Sequence, residues 1–151
     1  MSGEHPSLQA LRAALEVSPD NTPLRQHLAQ TLLQMGQAEE AEIEFREALT
    51  RAPHNADLKV GLAHAFAEQG KDSHALVILE ELVKTPDTPA AAYLLHARLL
   101  IRAGDIGFAV TEYKAAIETD ASLRDHELEE RLGIDANESD EIVDGRVRAG
   151  W

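Results

Sequence analysis

The sequence predicts an all-α chain, an α-solenoid of antiparallel helix pairs, on three observations. Residues of one type recur at a step of 34: Gly36, Gly70 and Gly104; Ala29, Ala63 and Ala97; Ala41, Ala75 and Ala109. Within each repeat, apolar residues are spaced as on one face of a helix, twice, with the glycine between the two runs. Aromatic residues are only 4% of the chain against 44% apolar overall, so the core must come from Leu, Ala, Val and Ile, the residues of closely packed helices. A step of this length marks stacked units that bury their apolar faces against one another.

Residues 1–6 lack any apolar periodicity and are expected to be disordered, followed by a helix over 7–18. In the first full repeat, 22–53, Leu24, Leu28, Leu32 and Leu33 make a helical stripe. Gly36 ends it, because the left-handed turn that closes a helix disfavours any side chain. Ala41, Phe45, Ala48 and Leu49 form the stripe of the second helix, which Pro53 stops. Ala29 and Ala41 sit where the paired helices must approach closely, and a bulky residue there would cost roughly 1–3 kcal/mol. Repeats 56–86 and 90–121 keep the larger columns: Leu32, Phe66 and Leu100; Phe45, Leu79 and Tyr113; Leu49, Val83 and Ile117. Ser122-Leu123-Arg124-Asp125 reads as a capping-box start for a helix over 122–133, with Leu123, Leu128 and Leu132 as a sparse stripe and Gly133 as its end. Such a charged helix is expected to solvate the end of the array. Residues 134–151, with Asp135, Glu138, Asp140, Glu141 and Asp144 against Arg146 and Arg148, are expected to be an acidic linker or disordered tail.

The chain has 151 residues, 27 of them Asp or Glu and 14 Lys or Arg, for a net charge of −13. Phosphate backbones and anionic head groups repel such a surface, so neither nucleic acid nor a membrane is an expected partner. The absence of cysteine removes disulfides, thiolate zinc sites, iron–sulfur clusters and cysteine nucleophiles together. Met1 to Pro6 show neither the basic region nor the apolar run of a signal peptide. Apolar stretches are broken by Glu80, Arg98 and Arg102 well short of the roughly 20 residues that span a bilayer, so a cytoplasmic location is expected. Charge is uneven: residues 118–151 hold 11 acidic and 4 basic side chains, hence −7 of the −13.

The repeat resembles the tetratricopeptide repeat family, whose pattern runs Leu, a small residue, Leu or an aromatic, Gly, Ala, an aromatic, Ala and Pro. The first repeat supplies Leu28, Ala29, Leu32, Gly36, Ala41, Phe45, Ala48 and Pro53. The second supplies Leu62, Ala63, Phe66, Gly70, Ala75, Leu79 and Leu82, with Pro86 one place early. In the third, Tyr93, Ala97, Leu100, Gly104, Ala109, Tyr113 and Ala116 match, while His96 replaces Leu and Ala121 replaces Pro. Leu11, Ala14, Leu15 and Pro19 match the second half of a unit upstream. The resemblance covers 7–121, half a repeat plus three full ones, and implies a right-handed α-solenoid, a superhelix whose concave groove accepts a peptide or helix. Residues 122–133 keep neither the Leu–small pair nor the turn glycine, and Glu130 and Arg131 stand there instead.

No pattern points to catalysis, a metal or a cofactor. His27, His64 and His96 fall at different positions of their repeats, and no two histidines sit three or four apart. Glu39, Glu40, Glu42, Glu44 and Glu47 lie mostly on the outward side of the Ala41–Phe45–Ala48 stripe, a solvated face. Gly70-Lys71 lacks the other parts of a phosphate loop, with Ala65 and Asp72 in place of Gly and Ser or Thr. Asp135, Asn137 and Ser139 open like a calcium loop, but Asp140 and Arg146 stand where Gly and Glu are needed.

The resemblance places groove positions at Gln26, Gln30, Leu33 and Gln34; at Asp57, Val60, His64, Ala67 and Glu68; and at Ala91, Leu94, Arg98, Ile101 and Arg102. That implies a groove glutamine-rich at one end, apolar in the middle and cationic at the other, where Arg98 and Arg102 can together hold a carboxylate. The Lys and Asn clamp of chaperone-binding members is not reproduced, since His27, Gln30, Gly61 and His64 occupy its places. The expected function is a non-catalytic protein–protein interaction module, an adaptor or a segment of a larger protein, for which an acidic peptide is a compatible partner. Some bacterial AAA-type ATPases resemble the plan of repeats followed by an acidic linker, but this chain carries no nucleotide-binding motif. The alternative is a scaffold that self-assembles into a homo-oligomer by stacking repeats between copies.

Overall fold

The computed structural model describes residues 3–135, 137, 138 and 142, and every regular element among them is helical. Three times the chain executes the same turn between two helices, because its glycine column supplies a backbone that other residues resist. Gly36, Gly70 and Gly104 have φ of 77°, 74° and 84°. After each glycine the next N–H reaches back into the helix: Gln37 donates to Leu32 O, Lys71 to Phe66 O and Asp105 to Leu100 O, each at 2.9 Å. These bonds satisfy carbonyls that a helix end leaves orphaned. The turns join α2 (Thr22–Gln34) to α3 (Ala38–Arg51), α4 (Ala56–Glu68) to α5 (Asp72–Leu82), and α6 (Ala90–Arg102) to α7 (Ile106–Thr119). Helix starts are capped as well, by Asn21, Asn55 and Asp105, whose side chains accept the N–H groups of Leu24, Leu58 and Phe108. α1 (Pro6–Val17) precedes the three pairs and α8 (His126–Leu132) follows them.

The chain divides into two compact units, 1–78 and 79–151, with the division inside α5. In the first, α1 packs on α2, α2 on α3 and α3 on α4, and α2 also touches α4. Its core includes Leu8, Leu28, Ala29, Leu32, Phe45 and Leu58. The approach of α3 to α4 is tight, since a Cβ on Gly61 would stand 2.3 Å from Cε1 of Phe45. The ring therefore packs on bare backbone. In the second unit α6 packs on α7, and α7 carries α8. Ala97, Ala109, Tyr113, Ile117, Leu128, Leu132 and Ile134 form one buried cluster there.

The ends depart from the sequence expectation, each for a local reason. α1 begins at Pro6, not 7, and Glu4 and His5, expected to be disordered with the rest of 1–6, have partners. Pro6 has no N–H to leave unpaired in the first turn. His5 Nδ1 accepts the N–H of Ser7 at 3.2 Å, and Glu4 pairs with Arg12. α5 stops at Leu82, short of Pro86, because the hydroxyls of Thr85 and Thr88 donate to the Leu82 carbonyl. The cap is not one helix from 122. Asp120 accepts both the N–H and the hydroxyl of Ser122, at 3.0 and 2.6 Å, winding Ala121–Leu123 into a 3-10 turn. Asp125 then starts α8 by accepting the Leu128 N–H at 3.1 Å. Gly133 ends that helix at φ 72°. Ile134, placed in the linker or disordered tail, is buried, and Ile142 packs against the same cluster. Residues 1, 2, 136, 139–141 and 143–151 lie outside the described residues.

The acidic run of α3 is also only partly a solvated face. Glu39, Glu40 and Glu47 are exposed. Glu44 is not: it takes a bond from Arg25 of α2 at 2.7 Å, with both side chains 15% exposed. Glu42 receives Gln69 at 2.8 Å and Arg46 at 3.1 Å, with Lys71 at 3.5 Å. Burial works against its charge, but these partners outweigh it and hold the carboxyl below its ordinary range.

Gly61→Ala is expected to lower stability by about 1–3 kcal/mol, because a buried ring must be displaced. Gly107→Ala in α7, where a Cβ meets nothing within 4 Å, is expected to raise stability by about 0.4–1 kcal/mol. Urea unfolding followed by circular dichroism checks both. Stabilisation at both positions would contradict the Phe45 contact.

Candidate functional site

Residues four apart on a helix stand on one face, and the first helix of each pair carries such a row. On α2 it is Gln26, Gln30 and Gln34; on α4, Val60, His64 and Glu68; on α6, Leu94, Arg98 and Arg102. Burial of Leu28, Ala29 and Leu32 turns the glutamine row of α2 outward: Gln30 and Gln34 are exposed and Gln26 half-buried. On α4, Val60 and His64 are half-buried and Glu68 is exposed. His64 Nε2 lies 3.7 Å from Glu68 Oε1, beyond hydrogen-bond length. Ala67, expected in the groove, is buried instead. Since α2 touches α4, the first unit brings these two rows onto neighbouring helices.

In the second unit the row on α6 is partly taken up by the chain itself. Leu94 and Ile101 pack against the cluster that includes Leu128, Leu132 and Ile134. Arg98 Nη2 stands 3.3 Å from Asp125 Oδ2, while Asp125 Oδ1 caps α8. The Leu128 N–H first, with Arg98 adding to it against slight burial, holds the Asp125 carboxyl below its ordinary range. Arg102 is exposed.

What fastens α8 is a polar latch that spacing alone does not reveal. Tyr113 of α7 has no solvent exposure; its hydroxyl donates to Glu129 Oε1 at 2.8 Å and accepts the Asp125 N–H at 3.0 Å. Glu129, only 3% exposed, also takes Arg124 Nε at 3.0 Å and faces His126 Nδ1 at 3.3 Å. Burial opposes its charge, but the Tyr113, Arg124 and His126 contacts prevail and lower its pKa. Burial foremost, with the Glu129 charge beside it, pushes the Tyr113 phenol up to about 12. The phenol therefore stays a donor.

Among the described residues no group of three or more His, Asp and Glu side chains converges as a metal site. His27 is exposed, His64 half-buried and His96 buried. No helix among them is long and apolar enough to cross a membrane.

Comparison with known proteins supports the same architecture. The model of the tetratricopeptide repeat family matches residues 7–45 and 44–99. Interferon-induced protein with tetratricopeptide repeats 3 of Mus musculus is 30% identical over 89 residues, 59% of this chain and 22% of that protein. Cellulose synthase operon protein C of Komagataeibacter xylinus is 32% identical over 102 residues, 62% of this chain and 8% of that protein. The chain thus spans less than a quarter of either relative. Two crystal structures of MamA superpose with TM-scores of 0.70 and 0.69 at 18% identity, covering 93% of this chain and 81% and 75% of theirs. At that identity the match shows the fold, an all-α solenoid of helix pairs.

Tyr113→Phe is expected to destabilise the chain by about 1–3 kcal/mol near neutral pH, because Glu129 loses a buried donor. The folded-state pKa of Glu129 is depressed, so its contribution is present above the ordinary carboxylate range and lost as pH falls through the folded value. The difference between the two proteins should therefore shrink between about pH 7 and about pH 3. Urea titrations across that range measure it, and a difference independent of pH would reduce the hydroxyl to packing.

Proposed function

The chain belongs to the tetratricopeptide repeat family, and on that footing we propose that it is a non-catalytic protein-interaction module that holds a peptide or helix of a partner protein. The observation that carries this reading is the α2–α4 face, where Gln26, Gln30, Gln34, His64 and Glu68 present amide, imidazole and carboxylate groups beside half-buried Val60. Glutamine amides offer both donors and acceptors, which suits a peptide backbone as well as polar side chains. In the second unit Arg98 and Arg102, flanked by Leu94 and Ile101, form a smaller cationic stretch that would take an acidic group of a partner in exchange for Asp125. The Arg98–Asp125 pair is half-exposed, and such pairs are worth no more than about 1 kcal/mol, so an incoming carboxylate meets little resistance. The array in this reading runs from 7 to 121, with α8 as its cap, and acts as an adaptor within a larger assembly. Lengths of the relatives, of which it spans 22% and 8%, are compatible with that setting.

The test begins with partners captured by the tagged chain and identified, followed by binary titrations. Gln30→Ala combined with Gln34→Ala should weaken binding by about 1–3 kcal/mol, as for interface positions that matter, with helicity unchanged. Arg98→Ala with Arg102→Ala should do so only for a partner with an acidic motif. Unaltered affinity in the glutamine pair variant would overturn the α2–α4 assignment.

A further inference from the structure

The third repeat departs from the family pattern at His96, and in the second unit that departure sits at the floor of a cleft. The cleft, of about 370 Å³, lies between α6, α7 and the end of α5. That is near the lower end of the roughly 300–1,000 Å³ typical of ligand pockets, room for one long side chain. Its floor is unusual for a helix-pair interior. His96 has a side chain 7% exposed, and its Nδ1 stands 3.7 Å from Glu112 Oε1, too far for a hydrogen bond. Both His96 Nδ1 and Glu112 Oε2 are shielded from solvent and have no hydrogen-bond partner. Buried polar atoms are normally paired, so two orphans side by side ask for a group that pairs them. Burial lifts the Glu112 carboxyl above its ordinary range, against the pull of His96.

The walls define that group. Val83 and Leu100 line the cleft with apolar surface, and Phe108 stands at it with 62% of its area in water. Glu80, Asp105 and Glu112 make the lining net acidic, since its cation Lys84 is already 3.3 Å from Glu81. A fitting ligand has an apolar stem, positive charge at its tip, and several donors in one plane to meet the Glu112 oxygens and His96 Nδ1 together. A guanidinium has that donor fork and also stacks on aromatic rings, whereas an ammonium is a compact point charge.

We propose that this cleft is a docking site for an arginine side chain of a partner protein, with its stem along Val83, Leu100 and Phe108 and its guanidinium on Glu112 and His96. It is a second proposed site, in the other unit, and does not rest on the α2–α4 reading.

The experiment titrates the full isotope-labelled chain with acetyl-arginine methylamide, followed by nuclear magnetic resonance, with the acetyl-lysine and acetyl-norleucine methylamides as comparators. Saturable shifts at Val83, Leu100, Phe108 and the His96 ring are expected for the arginine amide, with weaker response to lysine and none to norleucine. Glu112→Gln, which keeps the shape of the side chain, should weaken arginine binding at least tenfold while circular dichroism stays unchanged. The proposal fails if arginine produces no saturable shift, if lysine or norleucine binds equally, or if Glu112→Gln binds as tightly as the parent chain.

Discussion

The fold depends on how closely the two helices of a pair can approach. Ala29 and Ala41, where α2 packs on α3, and Ala97 and Ala109, where α6 packs on α7, have no solvent exposure. With nothing beyond Cβ at these points, the backbones come near enough for larger neighbours to interlock. The same economy of volume recurs at Gly61, where the ring of Phe45 lies against bare backbone. So close a pairing requires an equally tight turn, and the left-handed glycines at 36, 70 and 104 provide it.

That packing decides which residues face water. Leucine and alanine stripes go inward, and the residues between them, Gln30 and Gln34 on α2 and Glu68 on α4, are left outward. An array that ends must also hide the apolar side of its last pair. Here α8 does so with Leu128 and Leu132, joined by Ile134 after it. It is fastened by a buried carboxylate whose partners, Tyr113, Arg124 and His126, lie on α7, in the linker and on α8 itself. A buried charge is tolerable only with its hydrogen-bonding capacity met, so the latch depends on geometry more than on area.

What the sequence could show follows from how local each signal is. The turns were legible because one glycine determines each, and the helix pairs because their stripes repeat at a fixed step. The cap start was not, since two aspartates, Asp120 and Asp125, each offer a start and the first produces only a 3-10 turn. Glu42 and Glu44 looked solvated because their partners Gln69, Lys71 and Arg25 lie on other helices or in turns. The groove positions on α6 carried the right residue types, but nothing in their spacing announced that Leu94 and Ile101 would pack into the C-terminal cluster. His96 was visible as a departure from the pattern, while its placement beside Glu112, half a repeat away, needed three dimensions.

In the proposed function the partner is held on the α2–α4 face, where Gln30 and Gln34 are exposed. The side-chain amide resonances of Gln26, Gln30 and Gln34 report on that face directly, and the measurement is their shift when an identified partner is added to the labelled chain. These amides and the signals of Val60 and His64 are expected to move together and saturate. Glutamine amides that stay in place while signals on the exposed side of α3, such as Ile43, respond to the partner would contradict it.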